Sequence, residues 1–400
     1  MASGRLSKVK GKVLDIPTVP TIGTATAGGE SASVAFTAST KGGPVSTYTA
    51  LSNPGSVTGS GTSSPVTVSG LTAGTAYTFT VRGNNITGSS EYSSASNSVT
   101  ALEGGAGYVM GGMDPNATTT IEKITFAATP VRTVISATLP GVSRSNAGIT
   151  CKGTSGYVQR ANDPATTTIY KMLFSTEATS TLSDSLGTAV RNAAGINNES
   201  TAGYVVNGYG SSTHRNLYQK ITFSNDSVST IGATTGSAGF LRIGVSNGST
   251  AGYTTMGRDD SYPPYYNVID KLTFSSETRS ALSATASFPA ECEGGVSYSG
   301  TAGYWFGGQT NADGKLNKIQ KLNFSTEACT TLSATLTVNS FGHSTASKDK
   351  LGGFGLIMGG YSTDFINTIQ KFDFSNETNA NASATLSSNK AFGAGVSYVS

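Results

Sequence analysis

The sequence predicts an all-β protein: a β-sandwich followed by six four-stranded repeat units, with the C-terminal strand returning to complete the first unit. Three observations predict this. Charged residues make up 12% of the 400-residue chain and 50 residues are glycine, whereas ordinary domains carry about 25% charge and about 7% glycine. A neutral surface of Ser, Thr, Asn and Gly suits short strands joined by tight turns. The spacing Lys-x-x-Phe recurs at Lys123–Phe126, Lys171–Phe174, Lys220–Phe223, Lys271–Phe274, Lys321–Phe324 and Lys371–Phe374, in steps of 48, 49, 51, 50 and 50 residues. Such a period marks one small supersecondary unit per repeat. Within the repeats, apolar residues alternate on both faces of the strands. In Ile121–Phe126, Ile124 and Phe126 share one face and Ile121 the other, as in a sheet packed between two neighbours.

Each unit has further landmarks. Ahead of the lysine lies Gly-Tyr at Gly107, Gly156, Gly203, Gly252 and Gly303, with Gly355-Leu356 in the sixth unit. After it come a Ser/Thr segment with a Leu or Ile anchor, such as Leu332–Leu336, and a Gly-rich apolar segment, such as Gly294–Val296. The lysines are expected to lay their stems over the apolar stripe, with their heads in water.

The array resembles the kelch-type repeat. Gly111-Gly112, Gly307-Gly308 and Gly359-Gly360 match its glycine doublet. Units two, three and four depart from it with Gln159-Arg160, Asn207-Gly208 and Met256-Gly257, and Leu or Ile replaces the late Trp. The resemblance implies a six-bladed kelch-like β-propeller over residues 104–400. Unit one opens on its second strand, while the last strand, Phe392–Val399, has no second strand after it. Pairing the two closes the ring and leaves no open blade.

Residues 17–101 read as the sandwich. Ser33–Phe36 and Val45–Tyr48 alternate, and Leu71-Thr-Ala-Gly74-Thr-Ala-Tyr77-Thr-Phe79-Thr-Val81 resembles the fibronectin type III signature. Tyr77 matches that family's tyrosine corner, and Phe36 substitutes for its early core Trp. Residues 1–16 form a basic arm. The net charge of +3 lies wholly in the first 15 residues, where Arg5, Lys8, Lys10 and Lys12 oppose Asp15.

Chemistry finds few candidates. Cys151, Cys292 and Cys329 are an odd number without CxxC spacing, and His214 and His343 are the only histidines. That excludes a His-rich metal centre and leaves both histidines expected as lone surface residues. No Asp box of the sialic-acid-cutting propellers occurs, and the acid pair Asp259-Asp260 reads as a loop tip. No catalytic, metal or cofactor residues are assigned, and the protein is expected not to be an enzyme. The neutral body lacks the basic face of a nucleic-acid binder. No segment reaches the roughly 18 consecutive apolar residues of a membrane span.

Recognition has a better candidate. Antiparallel units place their second-to-third and fourth-to-first strand loops on one face. On it, Arg258-Asp259-Asp260-Ser-Tyr262-Pro-Pro-Tyr265-Tyr266 offers three rigid amphipathic rings suited to a glycan or a protein groove. The start of the chain is basic without an apolar stretch behind it, so no secretion signal is expected. The whole resembles virion structural proteins of tailed bacteriophages, especially those of marine cyanobacteria. That resemblance implies a tail, fibre or collar component, present in multiple copies per particle. The basic arm would anchor it to other virion proteins, and the propeller would meet the host surface. The alternatives are a stand-alone lectin-like propeller and a capsid decoration protein.

Overall fold

The structure is a computed structural model that describes residues 15–72, 74–101, 104–127, 129–144, 147–255, 257–259, 265–291, 294–298, 300–348 and 353–399. It separates into two compact units, residues 1–104 and 105–399. The ordered elements of both are strands.

In the first unit, Thr21–Gly28, Ser31–Thr37 and Val66–Ser69 form one sheet. Thr58–Gly61, Thr47–Asn53, Ala76–Asn85 and Gly88–Ser89 form the other, with Val99–Thr100 also pairing to the long strand. Period-2 alternation buries Ala32, Val34 and Phe36 from one sheet against Tyr48, Ala50, Tyr77, Phe79 and Val81 from the other. Phe36 meets Tyr48 at a ring separation of 4.5 Å, so an aromatic pair joins the two sheets. The Thr72 N–H donates to the Tyr77 hydroxyl at 3.0 Å, which makes the tyrosine corner. Ser90, Ser93 and Ser96 accept from the N–H groups of Gly83, Val81 and Phe79 at 3.1, 2.9 and 3.0 Å. Hydroxyls thus take the place of ladder bonds along one edge of the long strand.

Among the described residues the second unit repeats one four-strand order six times, with Met113–Asp114 added to the sheet of unit one and a separate two-stranded ribbon of Gln309–Thr310 and Gly314–Lys315. In the fourth repeat, Ile243–Asn247, Ala251–Thr255, Val268–Thr273 and Thr278–Thr285 run antiparallel from innermost to outermost. The sheet of unit one takes its innermost strand from the C-terminal segment. Ala394–Tyr398 pairs antiparallel with Ala106–Met110, Val396 opposite Tyr108.

The repeated motif is a clamp between consecutive units. The Lys220 ammonium lies 2.6 Å from the Glu277 carboxylate, and the Tyr204 hydroxyl donates to that carboxylate at 3.1 Å. Tyr204 also stacks on Phe274 at 5.5 Å. Tyr and Lys come from unit three, Phe and Glu from unit four. The same quartet joins Tyr108 and Lys123 to Phe174 and Glu177, and Tyr157 and Lys171 to Phe223 and Asp226. It recurs from Tyr253 and Lys271 to Phe324 and Glu327, and from Tyr304 and Lys321 to Phe374 and Glu377. The expectation that the lysine heads lie in water is therefore corrected at these five positions. Each acid sits at φ between 51° and 57°, a region that non-glycine residues seldom enter; its bound carboxylate helps hold it there. Burial first, then the adjacent carboxylate, pushes the Tyr204, Tyr253 and Tyr304 hydroxyls up, so they remain donors. Glycine precedes each tyrosine because the neighbouring unit presses there: a Cβ on Gly203 would run into the Ile149 side chain.

A second staple points to the preceding unit. Gln219, Gln320 and Gln370, all buried, accept from the N–H groups of Thr188, Ser287 and Thr337 at 2.8, 2.6 and 2.9 Å. Unit one carries Glu122 at this position, accepting from the Ser387 N–H at 2.8 Å. Its carboxylate also lies 2.7 Å from the Lys390 ammonium, with both side chains at most 2% exposed.

The innermost strands follow Gly-x-Ser/Thr/Asn. A Cβ on Gly148, Gly195, Gly244 or Gly395 would strike the carbonyl oxygen of Gly395, Gly148, Gly195 or Thr345 respectively. The hydroxyls two residues on cap the neighbour's edge N–H groups. Ser246, Ser297, Ser397 and Thr150 accept from Asn197, Ser246, Ser347 and Ser397 at 3.1, 2.8, 2.9 and 3.1 Å. Four of the six inner-strand edges are thereby capped without ladder pairing.

The apolar remainder fills the space between sheets. Phe324 is 5% exposed against Tyr253, Trp305 and Leu322. Phe324→Ala should cost about 3–5 kcal/mol in urea denaturation; a cost under about 1 kcal/mol would refute its place in the core.

Candidate functional site

One end of the array gathers the loops that differ between units. The residue four positions before each inner-strand Gly, or Thr345, meets the start of its own unit's second-to-third strand loop. Arg191 bridges to Tyr209, Phe240 to Arg258, Glu291 to Gln309, Phe341 to Tyr361 and Ala391 to Met113. The Arg144 N–H donates to the Ala161 carbonyl at 3.0 Å. Regular backbone pairing thus supports six side chains of four kinds (two Arg, two Phe, Glu and Ala) around one centre. Between them lies a cavity of about 270 Å³ lined by Arg144, Asn162, Arg191, Asn192, Glu291 and Phe392, among others.

Charges at this mouth are mostly matched. Arg191 pairs with Asp163 at 2.8 Å and lies 5.0 Å over the Tyr209 ring. Arg258 pairs with Glu291 at 2.8 Å and lies 5.2 Å over Phe240. Burial pushes the Glu291 carboxyl up, and Arg258 opposes that shift. Arg144 donates to the Met113 thioether at 3.7 Å.

Of the loop singled out in the sequence, Arg258, Asp259, Tyr265 and Tyr266 are half-buried and engaged. The Tyr265 hydroxyl donates to Asn311 at 2.8 Å. The Tyr266 hydroxyl donates to Asp259, and the Tyr266 ring lies 5.5 Å from the Arg242 guanidinium. Burial, aided by Asp259, pushes Tyr266 up to about 12. Asp260 and Tyr262 lie outside the described residues, as do Arg5, Lys8, Lys10 and Lys12. Arg258 reaches the central cavity's wall through Glu291; the sequence did not single out Arg144, Arg191, Glu291 or Phe341. The signal was available: their shared position changes chemistry from unit to unit while its surroundings repeat.

The histidines differ from expectation. His214 is half-buried and stacks on Phe240 at 5.1 Å. His343 is 3% exposed, its Nε2 lying 2.9 Å from the Ser340 hydroxyl, and burial lowers its pKa from 6.5 to about 4. A buried neutral imidazole contributes stability that is fully present above pH 6.5 and lost as pH falls toward 4. The wild type should therefore lose up to about 1.4 kcal/mol per pH unit across that window from this group. His343→Gln should flatten the slope in urea titrations; an unchanged slope would place the imidazole in solvent.

These features define the class of architecture: an all-β chain with a fibronectin type III module followed by an array similar to a kelch-type propeller. Residues 17–99 match the fibronectin type III domain. The chain is similar to the solved structure of YjhT, a kelch-type propeller, with a TM-score of 0.51 and 12% identity over 63% of this chain and 87% of that one. It is one of 195 solved chains that match, and a likeness so widely shared carries the fold and no activity. Among curated proteins, none matches in sequence.

Proposed function

We propose that residues 104–400 close into a six-bladed kelch-like propeller through the C-terminal strand. We further propose that the protein is a non-enzymatic structural component of a tailed-bacteriophage virion. In this reading the basic arm anchors the chain to other virion proteins and the loop face meets the host surface. The observation that carries it is the division of labour within the array: uniform clamps hold the units, and the one variable face presents different side chains at equivalent positions. Such a surface can change its contacts without altering the scaffold. The fibronectin type III module supports the reading as a spacer.

Negative-stain microscopy of particles labelled with antibody to this chain tests it directly. Label on tail, fibre or collar is expected, and unlabelled purified particles would refute the assignment. Deleting residues 2–12 should give a folded protein missing from particles; normal incorporation would move the anchor to the folded units. A stand-alone lectin-like propeller is the second reading, favoured by the cavity at the mouth. Under either reading, replacing Tyr262, Tyr265 and Tyr266 by Ala should weaken adhesion if that loop forms the contact.

A further inference from the structure

The central cavity of the loop face has a chemistry of its own. Its roughly 270 Å³ fall below the ~300–1,000 Å³ of sites for drug-sized ligands, which sizes it for one sugar ring. Asn162, Asn192 and Gln309 bring amides that both donate and accept. Phe341 and Phe392, whose rings lie 5.7 Å apart, supply an apolar wall.

The charges decide the ligand. Arg191 and Glu291 already hold partners at 2.8 Å. Arg144 has the Met113 thioether and, among the described residues, no carboxylate within ion-pair distance. A half-buried guanidinium so placed offers a planar fork to an incoming carboxylate.

We propose that this cavity binds a single hexuronic acid residue, its carboxylate on Arg144 and its ring face against Phe341 and Phe392. The proposal rests on the reading of this face as the contact surface. A neutral hexose leaves the Arg144 donors without a carboxylate, and a simple carboxylate leaves the amides and aromatic wall unused. Both should bind more weakly.

Calorimetric titration of the full chain with methyl glucuronide, methyl glucoside and propionate tests this. Saturable glucuronide binding is expected, weakened by salt, with glucoside and propionate each at least about tenfold weaker. Arg144→Gln should lose at least about tenfold in affinity with an unchanged melting curve, and Arg144→Lys should recover part of it. Should Arg144→Gln fail to fold, Asn162→Ala serves in its place, with a smaller expected loss. No glucuronide binding, equal binding of glucoside or propionate, or unchanged affinity in the variants would overturn the proposal. Particle labelling is read separately, so glucuronide binding by a chain absent from virions would refute only the virion role.

Discussion

Removal of residues 388–400 should abolish cooperative unfolding and leave an aggregating chain. The deletion takes away Ala394–Tyr398, the inner partner of Ala106–Met110, whose five residues are all buried. It exposes an unpaired strand edge, the usual starting point for association between chains. It also removes Val396, which is 1% exposed and packs where a Cβ on Gly156 would collide with it. Lys390 goes as well, so the carboxylate of Glu122, 0% exposed, keeps Arg132 at 3.8 Å and the Ser387 N–H but loses its buried cation. Breaking a buried ion pair costs up to about 3–5 kcal/mol, against a total stability of about 5–15 kcal/mol for a domain. Thermal scans with light scattering would read the result. A truncated chain that stays monomeric and melts unchanged would show that the C-terminal strand does not complete unit one.

The Glu122–Lys390 pair allows a sharper experiment. Lys390→Met should cost up to about 3–5 kcal/mol because the buried carboxylate keeps only the longer Arg132 contact at 3.8 Å, and Glu122→Gln should cost a similar amount by leaving the buried ammonium the Thr120 hydroxyl and no carboxylate. The double variant should recover to within about 1 kcal/mol of the wild type. Gln already stands at this position in units three, five and six, accepting the same kind of backbone N–H. The coupling energy from a urea-denaturation cycle measures the pair. Single variants that each cost less than about 1 kcal/mol would show that the two groups are solvated.

Much of this fold was legible because its determinants are local. Alternation around Ile121, Ile124 and Phe126 marked a strand buried on both faces, and Tyr77 marked the corner of the sandwich. What escaped lies across unit boundaries. The acid that holds Lys123 is Glu177, in the following repeat, and nothing within one unit announces the pairing. Glu122 shares a face with Ile124 and Phe126, so alternation alone placed a charge in the core. Its partner Lys390 is brought near only by the return of the last strand.

The candidate site was legible as a face and not as a set of residues. Sequence reasoning weighed the longest and most aromatic loop, Arg258–Tyr266. The mouth is assembled from single residues contributed by separate units, with Arg144, Glu291 and Phe392 meeting around one cavity. Loop length says little about which residue reaches a common centre. Position relative to the inner strand says more.

The clamp between units also gives the array a direction. Each internal unit offers a tyrosine and lysine to the unit after it and an acid to the unit before it. Unit one has Thr129 where the others have the acid, and unit six has Leu356 where the others have tyrosine. Units two to five are therefore interchangeable at the clamp: losing or duplicating one joins matched ends there, while the loop-face pairs Arg191–Asp163 and Arg258–Glu291 belong to their own junctions. The terminal units cannot be copied into the interior on the same terms, because Thr129 would leave a lysine unanswered and Leu356 would leave a carboxylate without its hydroxyl donor. Repeat number in such a lineage can drift from within, while the two outermost repeats stay where they are.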